Sequence, residues 1–250
     1  MKTILIAYYW YPWNNSGTLR WLRLIQYLNM NIDVMTSSYP VKSFIDQSLP
    51  KIECKVMRYG KKKMPAVLWG LIYPFRILFS KYNNIIITAP PESLIIWAYI
   101  FQLFGKNVVL DLRDSIDRKH MHLKILKPLY KFFYIRIKNV VVCMRFLDES
   151  KPVVYHGYED ITKPKIHKMC FKDYHRMTFY KYHKLLSEGY YPDLSSKPNG
   201  YSSSCIHTLK HLGLPINNKY LNKEVFELIP ISWEESANQM EVILKKCFNF

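Results

Sequence analysis

The chain has 250 residues, 49% of them hydrophobic, which is enough to bury one large core or two modest ones and too apolar for a disordered segment. Its 36 Lys and Arg against 19 Asp and Glu leave a net charge of +17, an excess that points to a polyanionic partner, either nucleic acid or an anionic membrane surface. Five widely spaced cysteines with no C-x-x-C pair argue against a disulfide framework, and no apolar run reaches the ~18 residues of a membrane span. The expected setting is therefore cytoplasmic, with contact at the inner membrane face left open.

In chain order, "TILIAYY" (3–9) reads as a buried strand. The opening "MKTILIAYYWYPW" lacks the small-x-small site of a secretory leader, so a first strand is the better reading. A loop holding Asn14, Asn15, Ser16 and Gly17 then leads into a helix over 17–29. The free N–H groups of such a helix, beside a glycine, make an anion site that Arg20 and Arg23 would reinforce; an ordinary capped helix with surface arginines is the alternative. The pattern is not G-x-G-x-x-G.

Strands follow at 32–37 and 53–59. In "GKKKMPAVLWGLIYPFRILF" (60–79) three lysines precede an apolar helix over about 66–80, which suits either a core helix or a segment dipping into a membrane interface. A strand at 84–89 runs into "TAPPESL", whose prolines stiffen the start of a helix over 92–104.

The strand at 107–112 ends in "LDLRDS", placing Asp111, Arg113 and Asp114 at its carboxyl end. An arginine between two aspartates keeps one ionised, as a general base requires; the same residues also make a plain brace for the strand end. A helix over about 124–138 carries Lys124, Lys127, Lys131 and Lys138 on one face and Leu126, Tyr130, Phe133 and Ile137 roughly opposite. A last strand is expected at 139–144. This alternation predicts a parallel, doubly wound sheet with ligands outside the carboxyl ends of its strands.

Beyond residue 150 the pattern weakens. "KPVVYHGYEDITKPK" (151–165) reads as an inter-domain connection, and the stretch 115–184 holds 16 Lys and Arg against 6 Asp and Glu. In "NGYSSSCIHTLKHLGLPI", Gly200 and the hydroxyls of Ser202, Ser203 and Ser204 at a helix start suit a phosphate or diphosphate, or simply a cap. "VFELIP" reads as a short strand, and "SWEESANQMEVILKKCF" as a terminal helix with a Ser232–Glu235 capping box and an apolar face of Trp233, Ala237, Met240, Leu244 and Cys247. His207 with His211, and His120 with His122, lack a third ligand at suitable spacing, so no metal site is expected.

Over about residues 1–145, "YYWYPWNNSGTLRWLRLIQYL", then "DVMTS", then "TAPPESLIIWAYIFQLFGKNVVLDLRDS", with three loops in order, resemble the amino-terminal half of family 4-like glycosyltransferases of the GT-B type. "VVYHGYED" is similar to that family's inter-domain turn, "YSSSCIHTLKHLGLPI" to its donor-phosphate segment, and "SWEESANQMEVIL" to its returning terminal helix. The resemblance implies an α/β protein of two Rossmann-like doubly wound domains facing a cleft: residues 1–150, a reduced domain over 151–231, and a helix over 232–250 that crosses back. The second domain is about half the usual size, and the glutamate pair that grips the donor is not evident.

The resemblance implies a metal-independent transfer from a nucleotide sugar, a UDP-sugar being the expected donor, with no further cofactor. Asp114, Asp111 and His156 become the catalytic candidates; Gly17, Arg20, Arg113, Tyr201, Ser202, Ser203 and Ser204 become the donor-binding ones. The charge leaves the acceptor as hydroxymethylated DNA of a viral genome, slightly favoured, or a lipid-linked or envelope saccharide at a membrane, with the four lysines of 124–138 as contact residues. A non-enzymatic nucleic-acid-binding protein on the same scaffold is the competing expectation, and no obligate protein partner is implied.

Overall fold

The computed structural model describes residues 2–14, 16–40, 44–45, 51–62, 64–116, 124–157, 167–170, 190–193 and 231–248. Its centre is a six-stranded sheet built from β1 (Lys2–Ile6), β3 (Ile32–Ser37), β5 (Val56–Tyr59), β6 (Tyr82–Ala89), β7 (Asn107–Leu112) and β8 (Val140–Val142). Two-residue strands β2 (Trp13–Asn14) and β4 (Phe44–Ile45) pair antiparallel beside it, and β9 (His167–Cys170) pairs parallel with β10 (Tyr190–Asp193). The central order is β5-β3-β1-β6-β7-β8, with every neighbour parallel. The chain thus builds outward from β1 to one edge, returns, and builds outward from β6 to the other, which is a Rossmann-like arrangement with its switch point between β1 and β6.

Right-handed crossovers in opposite directions put their helices on opposite faces. Helix α1 (Ser16–Tyr27) covers one face; α2 (Ala66–Ile72), α3 (Phe75–Leu78), α4 (Leu94–Leu103) and α5 (Lys127–Tyr134) cover the other. Alternation along the strands divides the core accordingly. Leu5, Ile86, Val109 and Val141 point toward α1, whereas Ile4, Ile87, Leu110 and Val142 point toward α2 to α5. With both faces covered, β6 is buried at all but one of its eight positions, as its apolar run requires.

The terminal helix α6 (Trp233–Phe248) packs on α1 over the same face, burying Trp233, Ala237, Met240, Leu244 and Phe248 among Trp21, Leu24 and Leu28. Its expected capping box is present: Glu235 N–H donates to Ser232 Oγ (3.0 Å) and Ser232 N–H to Glu235 Oε2 (2.6 Å). Phe248 is buried and Cys247 half-buried, so the apolar face closes on the phenylalanine.

Two expectations change. The helix foreseen over 66–80 is two helices, because Pro74 has no N–H to continue the first and starts the second. The first strand stops at Ile6, and residues 7–12 form a loop above the sheet edge. The readings at 158–165, 171–189 and 194–230, including Gly200, Tyr201, Ser202, Ser203, Ser204, His207 and His211, lie outside the described residues, as do His120 and His122.

Candidate functional site at the strand carboxyl ends

Four segments meet where the sheet reverses: the loop after β1, the start of α1, the Pro90–Pro91 turn after β6 and the residues following β7. Tyr8 is buried against Trp69 (ring centroids 5.5 Å) and gives its hydroxyl proton to the Met64 carbonyl. Tyr9 meets Tyr8 edge-on at 4.8 Å. Burial, with Tyr8 beside it, pushes the Tyr9 hydroxyl up to about 12 against the opposing pull of Arg113, so it is a neutral donor at physiological pH.

Arg113 organises this corner. Its backbone N–H donates to the Ala89 carbonyl (3.0 Å), extending the β6–β7 ladder by one step. Its Nε donates to Thr88 Oγ1 (2.8 Å), and a terminal nitrogen lies 3.5 Å from the Pro90 carbonyl. Its own carbonyl accepts from the Cys143 thiol at the end of β8 (3.4 Å). Burial pushes that thiol up to about 12, which leaves it protonated and chemically quiet.

The guanidinium ends against the first turn of α1. A Cβ on Gly17 would lie 2.4 Å from the Arg113 guanidinium carbon, so only glycine admits the arginine at this distance. Gly17 and Arg113, read from the sequence as separate candidates, are thereby brought together as one half-buried cationic corner beside a helix N-terminus. Asp114 follows, half-buried, on the same loop.

Arg20 and Asp111 sit elsewhere. Both are fully buried, with Arg20 3.2 Å from Asp111. The carboxylate also receives the Trp21 indole N–H at 2.8 Å, and Arg20 donates onward to the Val154 (2.9 Å) and Tyr155 (3.4 Å) carbonyls. Asp111 and Arg113 share a strand face, so Arg113 reaches the first turn of α1 while Asp111 reaches the next. Arg20 is thus turned inward, away from Arg23, whose guanidinium donates to Gln26 on the exposed side. The pair braces the sheet, the alternative noted for the strand end, with Arg20 as the partner.

The brace extends to α6. Tyr155 O also accepts from Ser236 Oγ (2.5 Å), so α1, β7, the 154–155 segment and the terminal helix share one polar junction. His156 is buried beside Trp233 (ring centroids 5.8 Å) in this junction. No sequence signal marks these partnerships, which span 91 and 134 residues for Arg20.

Lys131 and Lys138 are exposed on or just after α5 and Lys127 is partly so, while Tyr130 and Ile137 are buried as the periodicity requires. Among the described residues no group of three or more His, Cys, Asp or Glu gathers at ligand distances, and no helix is long and apolar enough to cross a membrane. Comparison with protein-family models, with curated proteins and with solved structures finds no match. The class established by the sheet is a parallel α/β protein of Rossmann-like order with a cationic corner at its switch point.

Proposed function

We propose that the chain is a metal-independent glycosyltransferase of the two-domain GT-B type, which takes its sugar from a nucleotide-sugar donor, a UDP-sugar in the first instance. The observation that carries this reading is the Arg113 guanidinium seated on Gly17 at the N-terminus of α1, at the switch point of a Rossmann-ordered sheet. A leaving diphosphate develops negative charge as the glycosidic bond breaks, and a fixed cation with a helix N-terminus answers that charge where it appears.

In this reading Asp114 orients or deprotonates the acceptor hydroxyl, and the neutral Tyr9 hydroxyl donates to the donor or acceptor sugar. Arg20 and Asp111 act at a distance by holding α1 against β7, and His156 holds the terminal helix near the 154–157 segment. Tyr201, Ser202, Ser203 and Ser204, outside the described residues, enter this reading only as the donor contacts that the resemblance implies. DNA as acceptor rests on net charge alone. A membrane-borne saccharide draws additional support from the apolar surface described below.

The test incubates the protein with a panel of nucleotide sugars and, separately, hydroxymethylated DNA and membrane lipid, with mass spectrometry for added hexose or pentose. Transfer to one acceptor is expected, lost in Asp114→Asn while donor binding persists. Absence of both adduct and nucleotide release from every donor would sink the reading in favour of a non-enzymatic binding protein.

A further inference from the structure

The layer of α2 to α5 is apolar on its outer side as well as its inner one. Phe79 is 76% exposed, Leu103 63%, Ile125 84% and Ile135 70%, and Ile72, Phe75, Phe104 and Phe132 are about half-exposed. Ring contacts and hydrogen bonds join parts of this surface. Phe75 meets Phe79 edge-on at 5.7 Å and Phe79 meets Phe104 at 6.5 Å, joining α3 to the end of α4. Gln102 then ties the end of α4 to α5 by donating to the Arg136 carbonyl and accepting the Lys138 N–H. Arg136 lies over the Phe132 ring at 3.6 Å. An apolar patch of this extent marks a contact surface and not ordinary scatter.

Its charge is one-sided. From Gly60 to Leu110 the only acidic residue is Glu92, at the crevice end of the layer, and from Lys124 to Leu147 there is none; the two stretches hold 12 Lys and Arg. Arg76, Lys131, Arg136 and Lys138 are exposed among the apolar side chains.

We propose that the outer face of the α2–α5 layer is a docking surface for an anionic lipid bilayer, with its aromatic and aliphatic side chains in the interfacial region and its cations on lipid phosphates. Nucleic acid matches the cations but offers no place to so many exposed large apolar side chains along one face. A second copy matches the apolar groups but sets like charge against like. An anionic bilayer meets both requirements, and the helices lie on it without spanning it. The proposal does not depend on the glycosyltransferase reading, since binding needs neither donor nor acceptor.

Flotation of the full chain with phosphatidylcholine vesicles, with and without about one-third phosphatidylglycerol, tests it at low and high salt. Strong flotation is expected only with the anionic vesicles at low salt. Phe79→Ser/Phe104→Ser/Ile135→Ser, at exposed positions, should weaken it at least ~10-fold. Lys131→Glu/Lys138→Glu should reduce it with the apolar groups intact, circular dichroism and Tm confirming that both variants are folded. The proposal is overturned if the wild type does not float with anionic vesicles, or if the folded serine variant floats as well as the wild type. It also falls if those serines only abolish self-association, or if duplex DNA is bound tightly without regard to them while vesicles are not.

Discussion

Gly17 and Arg113 occupy one space between them, and the consequence is measurable. Gly17→Ala improves intrinsic helix propensity by up to about 1 kcal/mol, yet its methyl group displaces the guanidinium from its place beside Thr88. Stability should therefore change by less than about 1 kcal/mol in urea unfolding, while nucleotide-sugar affinity drops at least ~10-fold. A fall in both together would mean that the glycine serves the fold alone. Asp111 and Asp114 should separate in the opposite sense. Asp111→Asn leaves Arg20 buried without its counter-charge and is expected to cost about 3–5 kcal/mol, and Arg20→Met in the same chain should restore part of it. Asp114→Asn should cost much less stability than Asp111→Asn while abolishing transfer, since Asp114 is half-buried and Asp111 fully buried. Each of these residues is visible in the sequence at its proper strand or helix end. What is not visible is that Asp111 faces Arg20 while Arg113 faces Gly17, because the two steps from Asp111 to Arg113 move the reach by one turn of α1.

At the scale of elements the sequence is far more legible. Six strands and the helices between them are marked by apolar, β-branched runs and 3.6-residue periodicity, and those signals are local. Where the structure departs from a local signal the cause is also local, as with Pro74 dividing α2 from α3. Pairing across the chain is another matter, and the two-residue β2–β4 contact has no pattern long enough to announce itself. The capping box of α6 lets its contribution be isolated: Ser232→Ala should lower stability by about 1 kcal/mol, read from the denaturation midpoint. Deleting α6 altogether exposes its face of Trp233, Met240, Leu244 and Phe248 and the α1 surface beneath. A chain ending at residue 231 should accordingly aggregate or bind a hydrophobic dye.

For the whole molecule, alternating strands and helices foretell a parallel sheet, but the order β5-β3-β1-β6-β7-β8 comes only from tertiary packing. Packing also sets the response to alkali. Burial raises the hydroxyls of Tyr9 and Tyr82 to about 12, with Asp33 accepting the Tyr82 proton at 2.6 Å as the second cause for Tyr82. Their folded values lie above the unfolded one, so the stability they contribute is complete below the ordinary tyrosine range near 10. It is lost as pH rises from about 10 through about 12, because the unfolded chain releases those protons first. Tyr82→Phe should flatten the fall in unfolding free energy across that window, and an unchanged slope would remove Tyr82 from the account.

In the junction that ties the 154–157 segment to α6, Gly157 lies against the start of that helix. A Cβ there would lie 2.4 Å from the Trp233 backbone nitrogen, so the chain departs at 157 and returns at 233 through a single point. Holding the ends of the intervening stretch of more than 70 residues together costs the unfolded ensemble about 4 kcal/mol of closure entropy, against about 2 for a short linker. The sheet-bearing unit, the host, therefore comprises the residues up to 157 together with α6, and the stretch between them in sequence is its guest. Joining residue 157 to Ser232 through a flexible linker of about eight residues should yield a host that unfolds cooperatively at no lower Tm. During synthesis, the host's first and last helices meet only after the whole guest has been made, so the guest's length sets how long the host face of α1 stays bare.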